Sequence, residues 1–210
     1  ELTLQVPRPQ KVVQLVAGDE YRKNFALTRI NTGNKTREEI ILPGAHSDIG
    51  GSYCRTEKED LILYRLLGKR GVFYIYSGCK SLDQLIDEGW FLNKTEQTRT
   101  ISNEYSRIPL HIMYGYKKEV FNNHFLKWKS IPPALQPIKK RLESIRTVPL
   151  YGFTTSPHTT IKPLFKKGSK DYALVKSIRH SYLHLSAVGG IAHGPAKNNN
   201  RIIIDDNGKK

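Results

Sequence analysis

The chain has 210 residues, 38% of them hydrophobic and 10% aromatic, which is enough apolar material for one large domain or two small ones and excludes a disordered polymer. Thirty-four Lys and Arg against nineteen Asp and Glu give a formal charge of +15, a field that gathers anionic partners such as lipid headgroups or nucleic acid. No apolar run reaches the roughly 18–20 residues needed to cross a bilayer, and no zinc-ligand spacing, aromatic RNA-binding strand or helix-turn-helix pattern accompanies the charge, so nucleic acid is a weak expectation.

In chain order, residues 1–10 form a polar, proline-containing lead without a basic-then-apolar signal pattern, and they read as the edge of an internal cut. Val12, Val13, Val16, Tyr21 and Phe25 recur at mostly three- and four-residue steps, which predicts a helix over residues 11–27 with Gly18 as its weak point. On that helix Asp19 is expected to be a surface or ion-pair residue beside Glu20 and Arg22. Thr32-Gly33-Asn34 predicts a turn. Residues 38–42, EEIIL, then read as a short buried strand that Pro43-Gly44 ends, because proline lacks an N–H and glycine admits positive φ.

Directly after the strand comes a dense group of polar residues: His46, Ser47 and Asp48, followed by Gly50-Gly51. A sheet can aim such a loop into a cleft, and two residues without a Cβ let a ligand or another backbone approach. By themselves Ser47 and Asp48 read as turn and cap residues, since both bond backbone N–H groups readily and neither faces its neighbour His46 as a nucleophile or a carboxylate must.

The run PGAHSDIGGSY resembles the signature of the bacterial α/β-hydrolase family that includes the type VI secretion phospholipase effectors, PG(V/A)HSD(I/V)GG(G)Y, whose histidine belongs to a Ser-His-Asp triad. His46 matches that histidine. VVQLVAGDEYRKNFALT upstream, SRIPLHIMYGYKKE and IRHSYLHLSA further on are similar to the family more weakly, so the likeness spans most of the chain. Ser52 stands where the family often has a third glycine. The resemblance implies a C-terminal portion of an α/β-hydrolase fold in residues 1–92, with a mostly helical accessory region in residues 93–210 that returns to the hydrolase core.

It also implies fatty-acyl ester hydrolysis with His46 as the catalytic base, no cofactor and no metal. Expected partners are the phospholipid membrane, a type VI secretion spike protein and an immunity protein. The expected route runs from the producer's cytoplasm to the periplasm of a target cell, with the enzyme peripheral at the membrane. One feature is missing: a hydrolase of this kind needs a serine on a strand-to-helix elbow, G-x-S-x-G, and SGCKS, GGSY and GFTTS all fail that spacing. In the order Ser, Asp, His the nucleophile precedes His46, so serine and aspartate are expected on an N-terminal part of the same enzyme, and these 210 residues alone are expected to be inactive. The alternative class is a non-enzymatic basic domain that docks on anionic membrane, nucleic acid or a spike protein.

The remaining elements follow by period and punctuation. Residues 60–68 predict a helix, GVFYIYSG a buried aromatic strand or else an interfacial loop whose Phe73, Tyr74 and Tyr76 face lipid or a partner, and residues 81–86 a capped helix start. The polar stretch 93–105 predicts an exposed connection and the boundary between the two regions. Residues 106–125 predict a helix through Ile108, Ile112, Met113, Tyr116 and Val120, with Pro109 in its first turn. After Ile131-Pro132-Pro133, residues 135–145 predict a basic amphipathic helix with Leu135, Ile138, Leu142 and Ile145 on its apolar face. Residues 148–170 read as irregular.

A helix is expected over residues 171–185, ending in a polar cluster of Arg179, His180, Tyr182, His184 and Ser186 that closes against the His46 loop. Residues 201–204 predict a last strand or edge segment. His111 and His124 lack a third ligand, and the i, i+4 pair His180 and His184 lacks one too. Cys54 and Cys79 have no C-x-x-C spacing and are expected to be reduced at synthesis.

Overall fold

A computed structural model describes residues 12–30, 37–60, 82–121, 129–145, 167–186 and 203–204, and these residues form a mixed α/β structure of short strand pairs and helices. Strands β1 (Val12–Ala17) and β3 (Arg37–Leu42) pair in parallel, with Leu15 opposite Ile40 and Ala17 opposite Leu42. Strand β2 (Leu27–Thr28) pairs in parallel with β6 (Ile203–Ile204), and β4 (Thr56–Asp60) pairs antiparallel with β5 (Thr98–Ser102). The helices are α1 (His46–Gly50), α2 (Leu82–Asp87), α3 (Arg107–Phe121), α4 (Gln136–Ile145) and α5 (Lys170–Tyr182), with 3-10 turns at Asn103–Ser106 and Pro133–Leu135.

The first correction concerns residues 12–17, which are strand and not helix. Three valines in VVQLVA favour the extended chain, where a β-branched side chain loses no rotamer it would otherwise have. Gly18 then closes the strand: its N–H bonds Leu42 O at 2.7 Å, and a Cβ there would stand 2.9 Å from that same oxygen. The glycine that weakened the helical reading marks the end of a strand.

The second correction concerns residues 98–105, which are a strand and a partly buried turn; only residues 93–97 form the exposed connection expected over 93–105. Along β5 exposure alternates strictly, with Thr98 and Thr100 outward and Arg99 and Ile101 buried, and Tyr105 in the following turn is also buried. The inward place taken by an arginine hid the period of two. The third concerns His46, Ser47 and Asp48, which open helix α1 and do not form a loop.

Other elements agree with the sequence. β3, α2, α3, α4 and α5 lie where period and capping put them, and Ile108, Ile112, Tyr116, Leu135, Ile138, Leu142, Val175 and Ile178 face inward as expected. Met113 does not, being 40% exposed. Ile203–Ile204 forms the expected end strand. Asp60 is the last residue of β4, and the rest of the helix expected to begin there lies outside the described residues. So do the lead at 1–10, the turn at 32–34, GVFYIYSG, His124, Cys79 and nearly all of 148–170.

One apolar cluster joins Ile40 and Leu42 of β3, Leu85 of α2, Trp90, Tyr105, Ile108 and Ile112 in or near α3, Leu135 of the 3-10 turn, Ile138 and Leu142 of α4, Val175 and Ile178 of α5, and Leu183 just after it. It therefore draws on residues both before and after position 92. β3 and α5, the two elements that flank the histidine turn, are fixed by the same core.

Candidate active site at the end of a parallel strand pair

Because β1 and β3 run the same way, the segments leaving their C-terminal ends lie side by side, the place where open α/β sheets gather functional groups. Asp19 N–H donates to Gly44 O at 3.0 Å and Gly44 N–H donates to Asp19 Oδ2 at 2.8 Å. His46 N–H donates to Glu20 Oε2 at 3.2 Å. Gly44 carries φ of +112°, a conformation open to glycine, and a Cβ there would meet Asp48 Cβ at 2.9 Å.

Helix α1 then turns the chain. Ala45 is its N-cap, and Asp48 Oδ2 accepts the Ala45 N–H at 2.8 Å. Gly51 ends the helix at φ of +74° and returns its N–H to Ser47 O at 2.9 Å. Nothing comes near the place of a Cβ on Gly50, so that side of the turn is open. The His46 side chain is exposed, with the Phe25 ring at 5.6 Å and tilted by 60°. Among the described residues no side chain hydrogen-bonds its imidazole.

Beneath the turn lies a layer of buried charge. Arg22 grips Glu20 with two side-chain bonds of 2.8 and 2.6 Å, and its guanidinium covers the Phe25 ring at 3.5 Å. Burial pushes the Glu20 carboxyl up, but the Arg22 bonds and charge outweigh it and hold the group below the usual carboxylate range. Asp19 is 3% exposed and takes Arg179 at 3.0 Å, so it is the ion-pair residue the sequence allowed, placed in a turn instead of on a helix. Ser186 Oγ donates to Asp19 O at 2.7 Å and accepts the Tyr21 N–H at 3.0 Å.

The polar end of α5 therefore closes on the histidine turn, as the sequence suggested, but its contact is with Asp48. His184 Nδ1 lies 2.7 Å from Asp48 Oδ1, and the His184 N–H donates to Asp48 Oδ2 at 3.1 Å. Tyr53 stacks on the His184 ring at 3.5 Å and 17°. Burial raises the Asp48 carboxyl against the pull of His184, and burial with the charges of Asp48 and Glu59 raises the Tyr53 phenol far above its ordinary value.

His180 turns to a different partner, Glu96 Oε1 at 2.6 Å, so the i, i+4 histidines do not share a ligand position. No group of three metal-ligating side chains forms among the described residues. Sequence reading foresaw the cap role of Asp48 but not its pairing, because 136 residues separate it from His184 and no local spacing links them.

The class these residues define is a mixed α/β chain with an exposed histidine at a strand end, set on a buried carboxylate layer. No protein-family model, no curated protein and no solved structure matches it.

Proposed function

We propose that the chain is the histidine-bearing, C-terminal part of an α/β-hydrolase: an antibacterial phospholipase effector of the type VI secretion class that cleaves fatty-acyl esters. The PGAHSDIGGSY resemblance supports this reading, and one observation carries it. The His46 ring is exposed at the C-terminal end of β3 and is engaged by no hydrogen bond among the described residues, so both ring nitrogens are open to groups arriving from outside.

In this reading a serine on another part of the enzyme hydrogen-bonds Nε2 of His46, and a carboxylate there holds the Nδ1–H tautomer. His46 takes the hydroxyl proton as the oxygen attacks the acyl carbonyl, then returns it to the departing lysophospholipid oxygen. Water, deprotonated by the same imidazole, releases the fatty acid and regenerates the serine. Backbone N–H groups stabilise the oxyanion. The membrane, a secretion spike protein and an immunity protein are the partners, and the enzyme acts peripherally at the membrane after export to a target periplasm.

The test is His46→Ala in the complete enzyme. Ester hydrolysis is expected to fall by about 10³-fold or more, while stability changes by less than about 0.5 kcal/mol because the side chain is exposed. The 210-residue chain assayed alone is expected to show no turnover, and multiple turnovers by it would refute a serine supplied from elsewhere.

A further inference from the structure

Asp48 is 3% exposed and its carboxylate accepts three hydrogen bonds: Ala45 N–H at 2.8 Å, His184 N–H at 3.1 Å and His184 Nδ1 at 2.7 Å. Ala45 immediately precedes His46, and Asp48 follows it by two. One carboxylate therefore fixes the histidine turn from both sides and ties it to the end of α5.

The His184 ring is placed so that it can act only through this carboxylate. It is 2% exposed and lies under Tyr53. Facing a carboxylate, Nδ1 is the ring atom that donates. Nε2 is buried with no hydrogen-bond partner among the described residues, where its polar neighbour is Glu57 Oε2 at 3.8 Å, beyond bonding distance. A buried carboxylate and an imidazole with one unsatisfied nitrogen are costly compared with apolar residues of the same volume. A geometric role accounts for holding them there.

We propose that His184 is a positioning residue: by donating Nδ1–H to Asp48 it locks the Ala45–Asp48 turn, so that the backbone from which the exposed His46 imidazole projects is held in place without His184 touching substrate. This rests on His46 being the general base.

Two amides of the same chemistry test it, because the amide nitrogen of Asn falls where Nδ1 was and that of Gln where Nε2 was. In the complete enzyme His184→Asn is expected to keep kcat within about tenfold of the native value. His184→Gln is expected to lose about 100-fold in kcat, the cost of a reacting group displaced by about 1 Å, with KM unchanged.

A readout independent of turnover accompanies it: backbone order parameters at residues 45–49 of the full chain, expected to drop in the Gln variant and hold in the Asn variant. Equal losses in the two variants, or a Gln variant with native kcat and native order, would overturn the positioning role. If His46→Ala retains native activity, it is the base assignment that fails, and the order parameters alone then decide whether His184 holds the turn.

Discussion

Glu20 is fully buried, receives both charged bonds from Arg22, and accepts the backbone N–H of His46, so one carboxylate joins the strand end of β1 to the candidate base. Its folded pKa lies below the ordinary value, which sets the sign of its pH dependence. The stabilisation is complete above the usual carboxylate range and is lost as pH falls through the lower folded value. Glu20→Gln is therefore expected to cost about 1.5–3 kcal/mol at pH 7, the worth of hydrogen bonds to a charged group. The gap between variant and native chain should close as pH drops below about 4. Urea unfolding at several pH values measures this; a gap that stays constant down to the acid limit would contradict it.

The residue scale also separates two histidines that look alike in sequence. His46 and His184 each have a serine within two residues, yet one is exposed and the other is sealed under Tyr53. The PGAHSDIGGSY run pointed to the first through resemblance. The second was placed only within the polar end of α5, since what distinguishes it from its neighbours there is the carboxylate it meets.

Among elements, β5 shows how a strand can be hidden. Arg99 points inward and donates to Glu59 and to the carbonyl oxygens of Trp90, Arg179, His180 and Leu183. It therefore serves as the C-terminal cap of α5 while belonging to a sheet. Arg99→Lys removes the planar fork that reaches these oxygens at once and is expected to cost about 2–4 kcal/mol. The same exchange at Arg141, paired with Asp171 on the surface, should cost less than about 1 kcal/mol. Thermal unfolding of the two variants compares them directly, and equal costs would deny Arg99 its bridging role.

Helices were more legible than strands. The apolar positions of α3, α4 and α5 recur every three or four residues and each buries one stripe on the common core. β1 was misread because six residues rich in valine satisfy a helical spacing as easily as a strand, and the deciding partner, β3, lies some twenty residues away.

Over the whole molecule, the charge of +15 predicts a behaviour independent of catalysis. The chain should sediment with vesicles containing anionic lipid, not with zwitterionic ones, and release as salt rises to about 0.5 M, where the Debye length falls to a few ångström. Retention on DNA at physiological salt that matches or exceeds vesicle binding would favour the non-enzymatic alternative.

Taken alone, the amino-acid sequence determined the basic charge, the strand of residues 38–42, the helical stripes and the motif around His46, because each is written in composition or in neighbours a few residues apart. Only the tertiary structure decided that residues 12–17 are a strand, that Arg99 faces inward, and that Asp48 meets His184. Those outcomes depend on which distant group supplies a hydrogen bond or an opposite charge once water is excluded, and a linear pattern does not carry that information.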